Sequence, residues 1–278
     1  MSGFDPEWLA LREPIDHASR DAGVATQLKA HFAARETVTV VDLGCGTGSN
    51  LRAMAPLLSA RQHWHLVDGD PALLAEARRV LADWADEARE AGERLRIVKD
   101  GREIIITVED VDLTRRDLHF AAMGADLVTA AALFDLVSGP WLEQLVAACI
   151  EDRVPLYAVL NYDGIAEWSP RGPLDARVVS AFNRHQRGDK GFGPALGPDS
   201  GETLLRLLAA GACRCWSGDS PWRLTRREAG LITATTQGFA AAAREIAPDL
   251  AGALEAWVRE RRDADAMVVG HTDVFAVP

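Results

Sequence analysis

Val40-Val41-Asp42-Leu43-Gly44-Cys45-Gly46-Thr47-Gly48-Ser49-Asn50-Leu51 is the segment from which the fold can be read. A β-branched run over residues 37–43 (TVTVVDL) feeds three glycines at alternate positions, and a helical pattern starts directly behind them. β-Branched residues suit a strand buried on both faces, and glycine admits backbone N–H groups to a ligand where a Cβ would intrude. The loop therefore reads as a cradle for an anion or a nucleoside. A dinucleotide fingerprint wants glycine at its first, third and sixth positions. Counting from Gly44, the third position is Gly46 but the sixth is Ser49, where helix and strand must pack closely.

Outward from this loop, strand-like and helix-like segments alternate, the pattern of βαβ units around a mostly parallel sheet. Seven strands are expected: residues 37–43, 63–68, a hairpin of 95–98 and 104–108 counted once, 125–130, 155–161, 213–217 and 267–275. Asp100-Gly101 is a favoured two-residue hairpin turn. Amphipathic helices are expected over 51–58, 73–84, 141–150 and 201–210, with Gly211 closing the last as its C′ residue. Residues 4–34 read as one or two helices before the sheet, and 226–263 as Ala-rich helix. Residues 163–198, with Pro170, Pro173, Pro194 and Pro198, read as a long loop.

The 278 residues carry 30 Lys plus Arg against 41 Asp plus Glu, a net charge of −11. So acidic a chain without a basic stripe repels phosphate backbones, which argues against nucleic-acid partners. No apolar run reaches membrane-spanning length and the first residues lack signal-peptide order, so a cytoplasmic protein without membrane partners is expected. Cys45, Cys149, Cys213 and Cys215 are too scattered for a disulfide framework, and no cluster has metal-ligand spacing.

Asp42-x-Gly44-x-Gly46-x-Gly48 resembles the first motif of the class I S-adenosylmethionine-dependent methyltransferases. The resemblance covers roughly residues 37–163. It implies a Rossmann-like α/β fold: a seven-stranded, mainly parallel sheet with an antiparallel last strand, helices on both faces, an N-terminal helical cap and a substrate lid. One domain is implied, divided into a cap (1–36), a cofactor-binding core (37–162), a substrate loop (163–198) and C-terminal helices with the last two strands (199–278). The implied cofactor is S-adenosylmethionine, with S-adenosylhomocysteine as product, held by Asp42, Gly44, Cys45, Gly46, Gly48 and Asn50. In that family the acid before the loop orients the loop and the cofactor's amino group. At the end of the second strand, Asp68-Gly69-Asp70 resembles the ribose site, with Asp68 as the ribose acid. Asp112 and Leu113 match the adenine contacts, and the segment from Ala130 to Asp135 resembles the wall of the transfer site.

The acceptor side is read from residue types. Nucleic-acid and protein amide enzymes of this class carry Asp/Asn-Pro-Pro-aromatic after the fourth strand, where this chain has Ala131-Ala132-Leu133-Phe134. A small-molecule acceptor, methylated on O, N, S or C, is therefore expected. Phe134, Asn161, Tyr162, Trp168, Arg184, Lys190 and Trp222 are the candidate substrate residues, and His185 is the candidate base. Asp135 reads equally as a helix cap or a site residue, and His271 as a core residue. Arg12, Asp16 and Arg20 share a helical face, either as a surface ion-pair row or with an arginine clamping the cofactor carboxylate. Two other functions stay open: a non-catalytic cofactor-binding module, and a nicotinamide-dependent oxidoreductase.

Overall fold

Each of the two helices that precede the sheet starts on an aspartate whose side chain takes a backbone N–H of its first turn. They are α1 (Pro6–Ser19), capped by Asp5, and α2 (Ala22–Phe32), capped by Asp21. The structure, a computed structural model, describes residues 5–114 and 119–278. Then follow β1 (Thr37–Leu43), α3 (Ser49–Met54), β2 (Arg61–Asp68), α4 (Pro71–Trp84), β3 (Glu87–Ala91), β4 (Arg94–Lys99) and β5 (Arg102–Asp110). The chain continues through β6 (Leu127–Ala131), α5 (Gly139–Glu151), β7 (Leu156–Ser169), α6 (Asp175–Gln186) and α7 (Ser200–Ala210). It ends with β8 (Arg214–Asp219), β9 (Trp222–Thr225), α8 (Ala229–Ile246), α9 (Ala251–Arg261) and β10 (Ala266–Val277).

One mixed sheet runs in the order β3-β4-β5-β2-β1-β6-β7-β10-β8, with β9 also paired to β10. Strands β5, β2, β1, β6 and β7 are parallel, and the remaining pairings are antiparallel. β1 lies inside the sheet, so successive side chains enter two cores. Val38 and Val40 pack with residues of α2, α3 and α4, whereas Val41 and Leu43 pack with residues of α5 and α7. Helices thus cover both faces, as the buried β-branched run requires. A third core joins α6, α8 and α9 to the far ends of β7 and β10 through Trp168, Phe239 and Trp257.

Ten strands are present among the described residues, not seven. β3 (EAREA) is exposed throughout and is a strand only because β4 pairs with it. The hairpin at Asp100-Gly101 forms as expected, both residues taking positive φ (48° and 73°). Residues 163–198 are not a long loop: β7 continues antiparallel to β10 as far as Ser169, and α6 buries Val178 and Ala181. Gly211 is a cap of another kind than expected. Its φ is −82° and Ala212 takes the left-handed turn, while a Cβ on Gly211 would lie 2.3 Å from Ile150 Cδ1. Among the described residues, no helix is long and apolar enough to cross a membrane.

A buried carboxylate on β10 ties the antiparallel half to the N-terminal helices. Asp273 accepts from Asp21 N (2.9 Å), from Leu160 N (2.8 Å) and from Ser220 Oγ (2.6 Å). Leu160 sits at φ +57°, a bend inside β7 held by this bond. Asp273→Ala should cost about 3 kcal/mol or more in urea denaturation, because buried donors left without partners cost roughly 1–3 kcal/mol each. A loss below about 1 kcal/mol would show that the tie is dispensable.

Candidate functional site

The glycine loop lies at the carboxyl edge of the parallel strands, where open α/β sheets bind ligands. Gly44, Gly46 and Gly48 all take positive φ (64°, 52° and 76°). At Gly44 a Cβ would approach Leu133 Cδ1 to 3.1 Å, and at Gly48 Leu81 Cδ1 to 3.0 Å, so both the conformation and the space select glycine. Cys45 N donates to Val67 O (3.1 Å), which fastens the loop to β2. The Cys45 thiol is buried, and its pKa is pushed up by that burial.

Asp42, at the end of β1, is fully buried and receives Asn50 Nδ2 on its Oδ1 at 2.7 Å. Its Oδ2 and Asn50 Oδ1 have no hydrogen-bond partner among the described residues. Burial lifts the Asp42 pKa to about 7 against the opposing Asn50 bond and the Arg20 charge. Arg20, which caps α1, shows the converse deficit: its Nε and Nη1 are buried and, like the Tyr157 hydroxyl that Arg20 acts on, lack a close hydrogen-bond partner among the described residues. Of the three residues on that helical face, Arg12 and Asp16 form the expected ion pair (2.7 Å), whereas the charge of Arg20 acts on Asp42, Asp273 and Tyr157.

Asp68, at the end of β2, turns its carboxylate to the loop, accepting from Gly46 N (2.8 Å) and Asp70 N (3.1 Å). Burial raises its pKa against these bonds. Asp70 is the N-cap of α4, taking Ala72 N and Leu73 N on its Oδ1. Val111 N donates to Asp68 O (2.9 Å), and a Cβ on Gly69 would stand 3.5 Å from Val111 O, so Asp112 adjoins the end of β2. Asp112 Oδ1 accepts from Thr114 N and Oγ1 in a local turn. Leu113 is buried with its carbonyl on Trp141 Nε1, and Ala130 is buried in β6. The cofactor-side candidates therefore share one sheet edge.

α1 closes that edge from above. Leu9 Cδ1 lies 3.4 Å from where a Gly46 Cβ would stand, His17 Nε2 lies 3.0 Å from both Ser49 O and Ser49 Oγ, and Arg52 Nε donates to Glu13 at 2.8 Å. Arg52 and the Ser49 hydroxyl hold Glu13 below its ordinary pKa despite burial, and burial lowers that of His17.

The acceptor-side candidates divide. Phe134 is fully buried against Trp141 (6.5 Å between ring centroids) and is core. Asn161 spends its amide on Thr272 O (3.0 Å), pairing β7 with β10. Trp168 is buried between Phe239 and Trp257 with its Nε1 on Thr236 Oγ1, so it packs a core rather than a pocket. Arg184 is on the exposed side of α6, reaching Ser180. His185 is held between Lys190 Nζ and Glu245 Oε2, each at 3.2 Å. Lys190 donates to Nδ1, which occupies the lone pair a base would need. Arg184 and His185 are placed so because α6 is a helix packed on α8, not an open loop.

Tyr162 and Trp222 do stand together, both against His271, a partner that residue types assigned to the core. Trp222 is buried, donates Nε1 to Asp16 Oδ1 (2.8 Å), and carries the Arg12 guanidinium 5.0 Å over its ring. Its ring is 5.2 Å from that of His271, which is 6.3 Å from Tyr162. Asp135, which follows the fourth parallel-strand end, is buried, and its Oδ1 has no partner among the described residues. Burial lifts its pKa to about 6 against the charges of Arg12 and Lys190. Ser138, not Asp135, caps α5. Among the described residues no group of three or more His, Cys, Asp or Glu is arranged to hold a metal.

No protein-family model matches the chain, and no curated protein does. Among solved structures, a provisional methyltransferase from Bacillus halodurans C-125 is similar at 11% identity and TM-score 0.50, covering 92% of this chain and 99% of its own. A cyclopropane synthase from Mycobacterium tuberculosis is similar at 10% identity and TM-score 0.50, covering 98% of this chain and 94% of its own. The chain shares with these two solved structures a Rossmann-like α/β fold.

Burial fixes the pH response of the protein without ligand. A carboxyl whose pKa is raised in the fold is most favourable when protonated, so its contribution is complete below about pH 4 and is lost as pH rises through the folded value. For Asp42 that value is about 7. Asp42→Asn keeps an acceptor for Asn50 and cannot ionise. The variant should match wild type near pH 4 and exceed it by about 2–4 kcal/mol above pH 7, measured by urea denaturation, since each pKa unit is worth about 1.4 kcal/mol. Parallel curves would show that Asp42 titrates normally.

Proposed function

We propose that this protein transfers a methyl group from S-adenosylmethionine to a small-molecule acceptor. One observation carries the reading: beside a glycine loop of the Asp42-x-Gly44-x-Gly46-x-Gly48 form lie a buried acceptor without a donor and a buried cation without an acceptor. Asp42 Oδ2 would take an ammonium, and Arg20 Nε and Nη1 would take a carboxylate. An α-amino-acid terminus satisfies both, whereas a pyrophosphate gains nothing from Asp42.

The residues present thus fit the cofactor. Asp42 and Arg20 would hold its amino-acid end, the glycine loop its middle, Asp68 a ribose hydroxyl through its remaining lone pairs, and Asp112 with Leu113 the adenine. When bound, the cofactor supplies an electrophilic methyl group on a sulfonium. The protein's own contribution is position and exclusion of water, since displacement at that carbon requires no protein nucleophile. α1, held over the loop by His17 and Arg52, would shield the reacting groups. Soluble partners other than the acceptor are not required by this reading.

Calorimetric titration tests it with three ligands: S-adenosylmethionine, S-adenosylhomocysteine, and 5′-methylthioadenosine, which lacks the amino-acid end. Wild type should bind all three. Arg20→Ala should weaken the first two at least tenfold, about 1.4 kcal/mol, and leave the third within twofold. No binding of the first two would overturn the proposal, and binding of NAD in their place would favour an oxidoreductase. Binding without turnover across a broad acceptor panel would favour a non-catalytic module.

A further inference from the structure

Two polar atoms at the acceptor end of the site have no partner among the described residues: Asp135 Oδ1 and His271 Nδ1. Both residues are buried, at 6% and 4% exposure, so an unmet hydrogen bond is costly at each. They reach this place from different elements, Asp135 from the turn after β6 and His271 from β10. Tyr162 and Arg12 connect them: the Tyr162 ring is 6.3 Å from His271 and feels the Asp135 charge, and the Arg12 charge acts on both. Trp222, 5.2 Å from His271, walls the same place, and Lys190 faces Asp135 from the segment after α6. The Tyr162 hydroxyl is spent on Asn183 Oδ1 at 2.8 Å and Arg12 on Asp16 at 2.7 Å, so neither fills the two vacancies.

We infer that Asp135 and His271 are the polar pair of the acceptor site, and that the acceptor is a small aromatic molecule whose nucleophile is a hydroxyl or amine still bearing its proton. The inference rests on the methyl-transfer reading above. Asp135 Oδ1 accepts the hydrogen bond of that nucleophile, His271 Nδ1 meets a second polar atom, and Trp222 and Tyr162 hold the ring. As the heteroatom's lone pair forms the bond to the methyl carbon, the carbon–sulfur bond breaks with its electron pair left on sulfur. The heteroatom's proton passes to Asp135 and later to water. The charge balance favours this assignment: the positive charges of Arg12 and Lys190 both act on Asp135 and oppose the effect of its burial. A carboxylate with a pKa of about 6 is matched to taking a proton there. Of the groups whose charge reaches it, burial raises the Tyr162 pKa and lowers that of Lys190.

The test uses the full chain saturated with S-adenosylhomocysteine and four monosubstituted benzenes, phenol, aniline, anisole and toluene, followed by ligand-observed NMR. Phenol or aniline should bind at least tenfold more tightly than anisole and toluene. Asp135→Leu should remove that preference while S-adenosylhomocysteine affinity stays within twofold. Asp135→Asn, which keeps an acceptor oxygen but cannot take a proton, should retain phenol binding and lose its dependence on pH around 6. Equal binding of phenol and toluene by wild type, an unchanged preference in Asp135→Leu, or no probe bound at all overturns the inference. If S-adenosylhomocysteine itself fails to bind, the methyl-transfer reading falls first. Should Asp135→Leu not fold, His271→Ala is the second variant, with a loss of at least threefold for phenol expected and no loss overturning the pair.

Discussion

The hydrogen bonds converging on Asp273 set where everything at the sheet edge can be. This carboxylate is buried in β10, yet it receives the first backbone N–H before α2, the N–H of the bent residue Leu160 and the hydroxyl of Ser220. Three segments far apart in sequence are thereby fixed to one strand. Since α1 ends at Ser19 and α2 starts at Ala22, fixing Asp21 also fixes how α1 leaves the sheet. The position of Arg20, Leu9 and Arg12 over the site follows from that short connection.

The bend at Leu160 has a further consequence. Up to Val159 β7 is a parallel strand paired with β6, and beyond it the strand carries on with β10 alone to Ser169. The extension lifts Tyr162 above the parallel edge and supplies the surface on which α6 and α8 build the third core. An ordinary α/β sheet would end at the edge and leave the site open on this side. Here the continued strand, β9 and α1 enclose it, which accounts for the burial of Trp222, His271 and Asp135.

What the sequence disclosed was local. The strand into the glycine loop, the hairpin turn at Asp100-Gly101 and the helical faces of α4, α5 and α7 are each encoded within a dozen residues, and each formed. β3 was invisible because EAREA has neither β-branched residues nor an apolar face; its strand geometry is imposed by β4. The span 163–198 was misread because its prolines and glycines stand at its ends and turns, while the Val178/Ala181 face that makes α6 a helix is short. Trp168, Arg184 and His185 were assigned to the acceptor because aromatic and basic residues on an open loop suggest recognition, and packed on α8 they are core, surface and ion pair. The motif residues Asp42, Gly44, Gly46, Gly48 and Asp68 were legible, since a strand end followed by glycine or acid is a local signal. Arg20 and Asp135 were not separable from alternatives, because what marks them is a missing partner, and only the fold shows which groups lack one.

The missing partners also share a sign. At the site Asp42, Asp68 and Asp135 all have their pKa raised, chiefly by burial, while among the described residues there Arg20 is the buried cation whose Nε and Nη1 lack a close partner. A region with more buried acid than base, in a chain already at −11, gains from a ligand that brings net positive charge. A phosphate-rich cofactor would add to the imbalance. On the proposed reading, a molecule with an ammonium, a sulfonium and one carboxylate would correct it by one unit, its negative group directed to Arg20. The same imbalance explains why the site tolerates closure by α1: with its charges matched by such a ligand, exclusion of water strengthens the remaining attractions instead of exposing uncompensated carboxylates to a low dielectric.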